Sequence, residues 1–129
     1  MTRNPRDALC SFFNHFKVLE GYFGTFECLA NAFLNDVCGY YTPFLEHVRS
    51  YHEKRDWDNV CFITYEEMKA DLAKVITKVA KFLGKPIPVG EKMTALVDHL
   101  SFDKMKNNNA VNKSDVVQVR VLRRTGLIA

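Results

Sequence analysis

The sequence predicts an α/β protein that is mostly helical and contains one buried strand. Apolar residues recur at helical spacing along most of the chain, as in helices that bury one face. One short run of β-branched and aromatic residues, V-C-F-I-T-Y at 60–65, is typical of a buried parallel strand. With 129 residues, 47% of them hydrophobic and 26% charged, the chain is long enough for one globular domain.

The charge, the cysteines and the apolar runs exclude several classes of function. A formal charge of +3, without a basic patch interleaved with aromatic residues, gives no reason to expect nucleic acid as a partner. No apolar run is long enough for a signal region or a membrane span, so we expect no membrane partner. The four cysteines lie among apolar neighbours without metal-ligand spacing, which predicts core residues, no metal site and a reducing, cytoplasmic compartment. They are Cys10, Cys28, Cys38 and Cys61.

A helix is predicted to begin at the start of the chain. Asn4 can cap it, Pro5 suits the first helical position, and Asp7 stands where a capping-box acid would reach back. The apolar residues behind this start share one helix face: Leu9, Phe12, Phe13, Phe16 and Leu19.

Two arginines, Arg3 and Arg6, accompany this helix start. Exposed backbone N–H groups, the positive end of the helix dipole and guanidinium forks together suit a phosphate or a sulfate. A capped amphipathic helix with solvated arginines accounts for the same residues, so the pattern alone leaves both interpretations open.

Two more helices are predicted before the strand. The first runs from about Phe26 to Val37 and ends at Gly39. The next starts near Pro43 and carries an apolar stripe of Phe44, Val48 and Tyr51. His47 and His52 are five residues apart, which does not place them on one helix face for a metal ion.

The predicted strand at 60–65 leads directly into a helix that opens at Glu66 and stops at Gly84 and Pro86. Tyr65 would be the last residue of the strand. Open α/β sheets bind ligands just outside the carboxyl ends of their strands, which suits a ligand contact by Tyr65, but an aromatic residue that caps the core accounts for the same position.

A further helix and a basic tail complete the chain. The helix buries a stripe of Met93, Leu96, Val97 and Leu100 and leads into residues 101–109, whose asparagine run at 107–109 is predicted as a loop. The tail, residues 116–129, is basic. Its arginines are Arg120, Arg123 and Arg124.

Four segments, in order, resemble motifs of the cytosolic sulfotransferases. R-N-P-R-D followed by Ser11 is similar to the family's R-N-P-K-D-x-x-x-S, and Y-E-E-M-K at 65–69 is similar to Y-E-D-M-K. S-F-D-K-M-K at 101–106 resembles T-S-F-x-x-M-K-x-N. The end of the chain resembles a degenerate form of the family's R-K-G-x-x-G-D-W element.

The resemblance implies a binding site for the sulfate donor 3′-phosphoadenosine 5′-phosphosulfate (PAPS). Arg3 and Ser11 would hold its 3′-phosphate, while Tyr65 and Phe102 would lie by its adenine. In the tail, either Arg124 and Gly126 take the family's arginine and glycine places, or Arg123 and Arg124 form its basic pair.

The resemblance also implies a P-loop-NTPase-like sulfotransferase fold, of which residues 1–129 would be the C-terminal part of a single domain. Full-length relatives would move a sulfuryl group from PAPS to a hydroxyl or amine of a small acceptor. The T-Y-P-K-S-G-T-T-W-like phosphate loop with its lysine, a histidine in the family's general-base position and the dimer motif are not found in this sequence. We therefore expect no catalytic residue here and no activity from this chain alone.

Two other functions are consistent with the sequence. The leading alternative is a non-catalytic nucleotide-binding or interaction module that keeps the fold without the chemistry. A P-loop nucleotide kinase relative is a weaker alternative, because no Walker loop is present.

Overall fold

Helices form most of the regular structure of this protein. The computed structural model describes residues 1–37 and 42–112. The helices in these ranges are α1 (Pro5–His15), which continues into a π-helical turn (Phe16–Glu20), α2 (Phe26–Leu34), α3 (Phe44–Glu53), α4 (Tyr65–Ala70), α5 (Leu72–Phe82), α6 (Glu91–His99), α7 (Phe102–Lys106) and α8 (Asn109–Asn112). The predictions of a mostly helical chain, and of helices at the positions of α1, α2, α3 and α6, are confirmed. Gly39 lies outside the described residues.

The start of α1 has the predicted cap but a different acidic partner. The Asn4 side-chain oxygen accepts the Arg6 backbone N–H at 3.0 Å, and Pro5 occupies the first turn. The prediction that Asp7 completes a capping box is wrong, because the Asn4 backbone N–H donates to Glu66 Oε1 at 2.9 Å. The first helix is thereby tied to α4, 62 residues later in the chain.

Aromatic side chains join the first three helices. The Phe12 ring of α1 lies 6.1 Å from Phe33 of α2 and 6.3 Å from Phe44 of α3, between ring centroids. Tilted and edge-on ring pairs at this separation are the favoured aromatic geometry. The apolar faces predicted for these helices therefore do pack against each other.

The described residues bury few side chains. The buried apolar residues are Ala8, Leu29, Phe33, Val75 and Ala80. Several large apolar side chains are exposed, among them Phe23 at 86% and Leu34 at 74%. Within the described residues, only a part of the apolar side chains is thus buried.

The predicted buried strand at residues 60–65 is wrong. Within residues 1–37 and 42–112 the only β pairing is an isolated parallel bridge between Thr2 and Thr64, and residues 60–65 are half-buried. A strand needs several consecutive residues paired with a neighbouring strand, whereas here the described pairing involves only Thr2. Tyr65 is therefore the first residue of α4 instead of the last residue of a strand.

The helix predicted from Glu66 to Gly84 is interrupted. It divides at Asp71, where the backbone is extended with φ −155° and the side-chain carboxylate accepts the Lys74 N–H at 2.9 Å. An aspartate that caps a new helix in this way competes with continuation of the previous helix. The predicted end is confirmed, because α5 stops at Phe82 and Gly84 follows with φ 60°.

Thr64 starts α4 through a capping box. Its hydroxyl accepts the Glu67 N–H at 3.0 Å, and the Glu67 carboxylate accepts the Thr64 N–H at 2.7 Å. We expect Thr64→Ala to lower the free energy of unfolding by about 1 kcal/mol, measured by urea denaturation followed by circular dichroism. Thr64→Ser, which keeps the hydroxyl, should lose much less. Equal stability of Thr64→Ala and the unchanged chain would contradict this prediction.

Two other local predictions need correction. The asparagine run at 107–109 was predicted as a loop, but it only separates two short helices: α7, capped by Ser101, ends at Lys106, and α8 begins at Asn109. The cysteines were predicted to be core residues, yet Cys10 and Cys28 are exposed and Cys61 is half-buried. Small thiols tolerate either environment, so apolar neighbours in the sequence do not fix their burial. Cys38 lies outside the described residues.

Candidate nucleotide-binding site

The first residues of the chain lie alongside the start of α4. The Thr2 N–H donates to the Ile63 carbonyl at 2.9 Å, and the Tyr65 N–H donates to the Thr2 carbonyl at 2.8 Å. The Asn4 N–H adds the bond to Glu66 Oε1 at 2.9 Å. Three hydrogen bonds in total, two at Thr2 and one at Asn4, therefore hold the backbone on both sides of Arg3 beside α4.

The Arg3 guanidinium stacks on the ring of Tyr65. Its Cζ lies 4.2 Å from the ring centroid, and its Nη2 lies 3.9 Å from Oδ2 of Asp7. The Arg3 Nε is buried and has no hydrogen-bond partner among the described residues. Stacking on an aromatic face leaves the edge of a guanidinium, which carries its N–H donors, available for an oxyanion.

The Glu66 carboxylate, which lies close to Arg3, stays ionised at neutral pH. The N–H of Asn4 holds the pKa of the Glu66 carboxyl below its ordinary value, and the charge of Arg3 acts in the same direction. The Thr64 N–H and hydroxyl likewise lower the pKa of Glu67. A group with a lowered folded-state pKa contributes stability at neutral pH that is lost as the pH falls through that pKa. An anion that binds Arg3 must therefore compete with nearby carboxylates for the guanidinium, so its affinity depends on how well its oxygens fit the arginine N–H donors.

Ser11 lies on the exposed surface of α1. It follows Asp7 by four residues, so the two side chains share one helix face and are about 6 Å apart along the axis. Asp7 is the residue that the Arg3 guanidinium approaches. Asp7 thus lies on the same face of α1 as Ser11 and forms an ion pair with Arg3, which precedes the helix.

Phe102 is connected to the same helix as Tyr65. It is the first residue of α7 and is 66% exposed, and the Lys69 Nζ lies 5.9 Å from its ring centroid. Lys69 follows Tyr65 by four residues, so both belong to one face of α4. Two residues of α4 therefore contact predicted site residues. Tyr65 contacts Arg3, and Lys69 contacts Phe102.

The predicted tail residues Arg123, Arg124 and Gly126 lie outside the described residues, so their convergence with Arg3 stays a prediction. In the part of the chain that the structure describes, no group of three or more metal-ligating side chains is found. No helix in the described ranges combines the length and the apolar character that a membrane crossing requires.

Sequence reasoning missed two residues of this site, Glu66 and Lys69. Glu66 was interpreted only as the start of a helix, although acidic residues at a helix start have a free carboxylate that can accept a distant N–H. No local pattern connects it with Asn4, because the two residues are 62 positions apart. Lys69 was named only as part of the Y-E-E-M-K motif, and its contact with Phe102 joins residues of two different helices.

Residues 1–127 match the model of the sulfotransferase domain. The chain belongs to the sulfotransferase family. It is 40% identical over 119 residues to the luciferin sulfotransferase of Photinus pyralis, covering 92% of this chain and 32% of that protein. It is 37% identical over 101 residues to human sulfotransferase 4A1, covering 77% of this chain and 35% of that protein. The chain therefore spans about a third of the length of these sulfotransferases.

Solved structures confirm the sulfotransferase fold for this part of the domain. Retinol dehydratase in complex with androsterone and the inactive cofactor PAP superimposes with a TM-score of 0.79 and 33% identity, over 89% of this chain and 34% of that chain. A second complex of retinol dehydratase contains retinol and PAP, with a TM-score of 0.80. Mouse sulfotransferase SULT7A1 complexed with PAP gives a TM-score of 0.71 at 34% identity, over 82% of this chain and 38% of that chain.

Proposed function

We propose that residues 1–129 are the C-terminal part of a single sulfotransferase domain, and that the whole protein transfers a sulfuryl group from PAPS to a hydroxyl or amine of a small acceptor. Membership of the family supports the reaction class. The PAP found in the related solved structures supports PAPS as co-substrate, and the retinol and androsterone in two of them support a small-molecule acceptor. The proposal includes no metal ion.

In this proposal the chain contributes the site for the 3′-phosphoadenosine part of the donor. Arg3 and Ser11 hold the 3′-phosphate, and Tyr65 and Phe102 flank the adenine. The tail residues Arg123, Arg124 and Gly126 complete the phosphate site.

The observation that carries this proposal is the stacking of Arg3 on Tyr65 at 4.2 Å. An aromatic ring next to a guanidinium with unused N–H donors offers a surface for a planar base and, directly beside it, donors for a phosphate. In a nucleotide with a phosphate on its ribose 3′ position, the base and the phosphate are close enough for the base to lie by the Tyr65 ring while the phosphate reaches the Arg3 guanidinium. A solvated arginine on a capped helix would not need an aromatic partner.

Two nucleotides of equal charge test the proposal. Adenosine 3′-monophosphate and adenosine 5′-monophosphate differ only in the position of the phosphate, so general attraction to a basic chain affects both alike. We expect the 129-residue chain to bind the 3′-isomer roughly 10-fold more tightly in isothermal titration calorimetry, because only its phosphate reaches Arg3 and Ser11. We call this ratio of dissociation constants the 3′-phosphate preference. Equal affinity for the two isomers would contradict the proposal.

A further inference from the structure

One of the three hydrogen bonds around Arg3 depends on a side chain. The two bonds made by Thr2 join backbone atoms, so a substitution leaves their donors and acceptors in place. The third bond, from the Asn4 N–H, ends on Glu66 Oε1. A change of this single side chain therefore removes one of the contacts that hold the N-terminal segment against α4.

The two neighbouring glutamates of α4 have different roles. Glu67 accepts the Thr64 N–H at 2.7 Å, within the same helix start, and serves the capping of α4. Glu66 accepts an N–H from the start of α1, across 62 residues. The carboxylates are alike in type, charge and exposure, but only Glu66 connects α4 with the segment that carries Arg3.

The position of Arg3 depends on both ends of its short segment. On the N-terminal side, the bridge of Thr2 with residues 63–65 fixes the backbone. On the C-terminal side, Glu66 fixes Asn4, the cap residue of α1. Without the Glu66 oxygen, the segment loses this attachment on its C-terminal side, and the Thr2 bridge alone holds the Arg3 backbone beside α4 by hydrogen bonds.

We propose that Glu66 is a positioning residue for Arg3: by accepting the Asn4 N–H, it holds the guanidinium over Tyr65, where the arginine can receive a 3′-phosphate. The role rests on the proposed function in its last step only. The placement of Arg3 over Tyr65 is a property of the protein without nucleotide, so the two can be tested separately.

The test compares Glu66→Met with Glu66→Gln and uses Glu67→Ala as the matched control. Methionine keeps the length and the helix propensity of the side chain but has no oxygen acceptor, whereas glutamine keeps one. Glu67→Ala removes the neighbouring carboxylate and weakens the cap of α4 without touching Asn4. Glu66→Ala serves as a second acceptor-free variant should Glu66→Met fail to fold by circular dichroism.

Two readouts separate positioning from stability. The first, without nucleotide, is the upfield ring-current shift of the Arg3 side-chain protons above Tyr65 in the NMR spectrum. The second is the 3′-phosphate preference. We expect Glu66→Met to lose the upfield shift and to reduce the preference about 3- to 10-fold, the scale of one lost hydrogen bond. Glu66→Gln and Glu67→Ala should retain both.

Each alternative outcome has a separate meaning. An Arg3 shift that survives in the acceptor-free variants overturns the positioning role, whatever happens to nucleotide binding. Loss of the shift in a chain that has no 3′-phosphate preference to begin with supports the positioning role and overturns the proposed function. A Glu67→Ala variant that behaves like Glu66→Met overturns the positioning role, because it assigns the effect to the stability of α4.

Discussion

The purified 129-residue chain is expected to transfer no sulfuryl group from PAPS to phenols, alcohols or amines above the rate in buffer. Such transfer needs a base that takes the proton of the acceptor and cations that stabilise the charge developing on the donor oxygens. The resemblance to the sulfotransferases assigns these roles to a histidine in the family's general-base position and to the lysine of the phosphate loop. Neither feature is found in this sequence. Loss of both contributions amounts to about 10⁴-fold or more in rate.

The measurement is a radiolabel assay with ³⁵S-labelled PAPS and a panel of small acceptors, run beside a full-length sulfotransferase as positive control. Binding of adenosine 3′-monophosphate, measured on the same preparation, shows that the chain is folded and that inactivity is not a failure of the sample. Acceptor-dependent turnover by the chain would mean that its own residues supply the base and the cation.

The helices were predictable because their signals are local. Asn4 and Pro5 mark the start of α1, and Gly84 marks the end of α5, through the backbone geometry that each residue favours. The strand at 60–65 was not predictable in the same way, because a strand forms only with a partner elsewhere in the chain. Its apolar composition was interpreted as a buried parallel strand, but the segment is half-buried and, among the described residues, only its Thr64 is paired.

The break between α4 and α5 shows a different limit. The apolar stripe continues through both helices, so periodicity alone predicts one helix. Asp71 nevertheless ends the first and caps the second with its own carboxylate, because a short polar side chain can satisfy the N–H groups of a new helix start. The periodic pattern describes which faces are apolar and is insensitive to a single capping residue.

The candidate site was predictable to the extent that the family resemblance named its residues. Arg3 and Tyr65 were both expected there, and they are in contact. The contacts that bring them together were not predictable, since Glu66 and Asn4 are 62 residues apart and neither belongs to a motif that names the other. The resemblance thus names side chains that are predicted to contact an anion and a base, and long-range hydrogen bonds bring two of them, Arg3 and Tyr65, together.

Arg3→Ala is expected to have the largest effect on nucleotide binding of any single substitution in the described site. Loss of a charge-assisted hydrogen bond at the lower end of its usual contribution, about 1.5 kcal/mol, should lower the affinity for adenosine 3′-monophosphate roughly 10-fold. Affinity for the 5′-isomer should change little, because its phosphate does not reach Arg3. The 3′-phosphate preference should therefore disappear.

Arg6→Ala is the matched control for this substitution. Arg6 carries the same charge, lies three residues later and is exposed on α1, where its backbone N–H donates to the Asn4 side-chain oxygen. Both variants lose one positive charge and the same general electrostatic attraction. A difference between their nucleotide affinities therefore measures the contribution of the Arg3 guanidinium in its position over Tyr65. If Arg6→Ala weakens binding of the 3′-isomer as much as Arg3→Ala does, net charge attracts the nucleotide and Arg3 is only part of a capped helix start. If Arg3→Ala alone removes the preference, the stacked arginine is the group that recognises the 3′-phosphate.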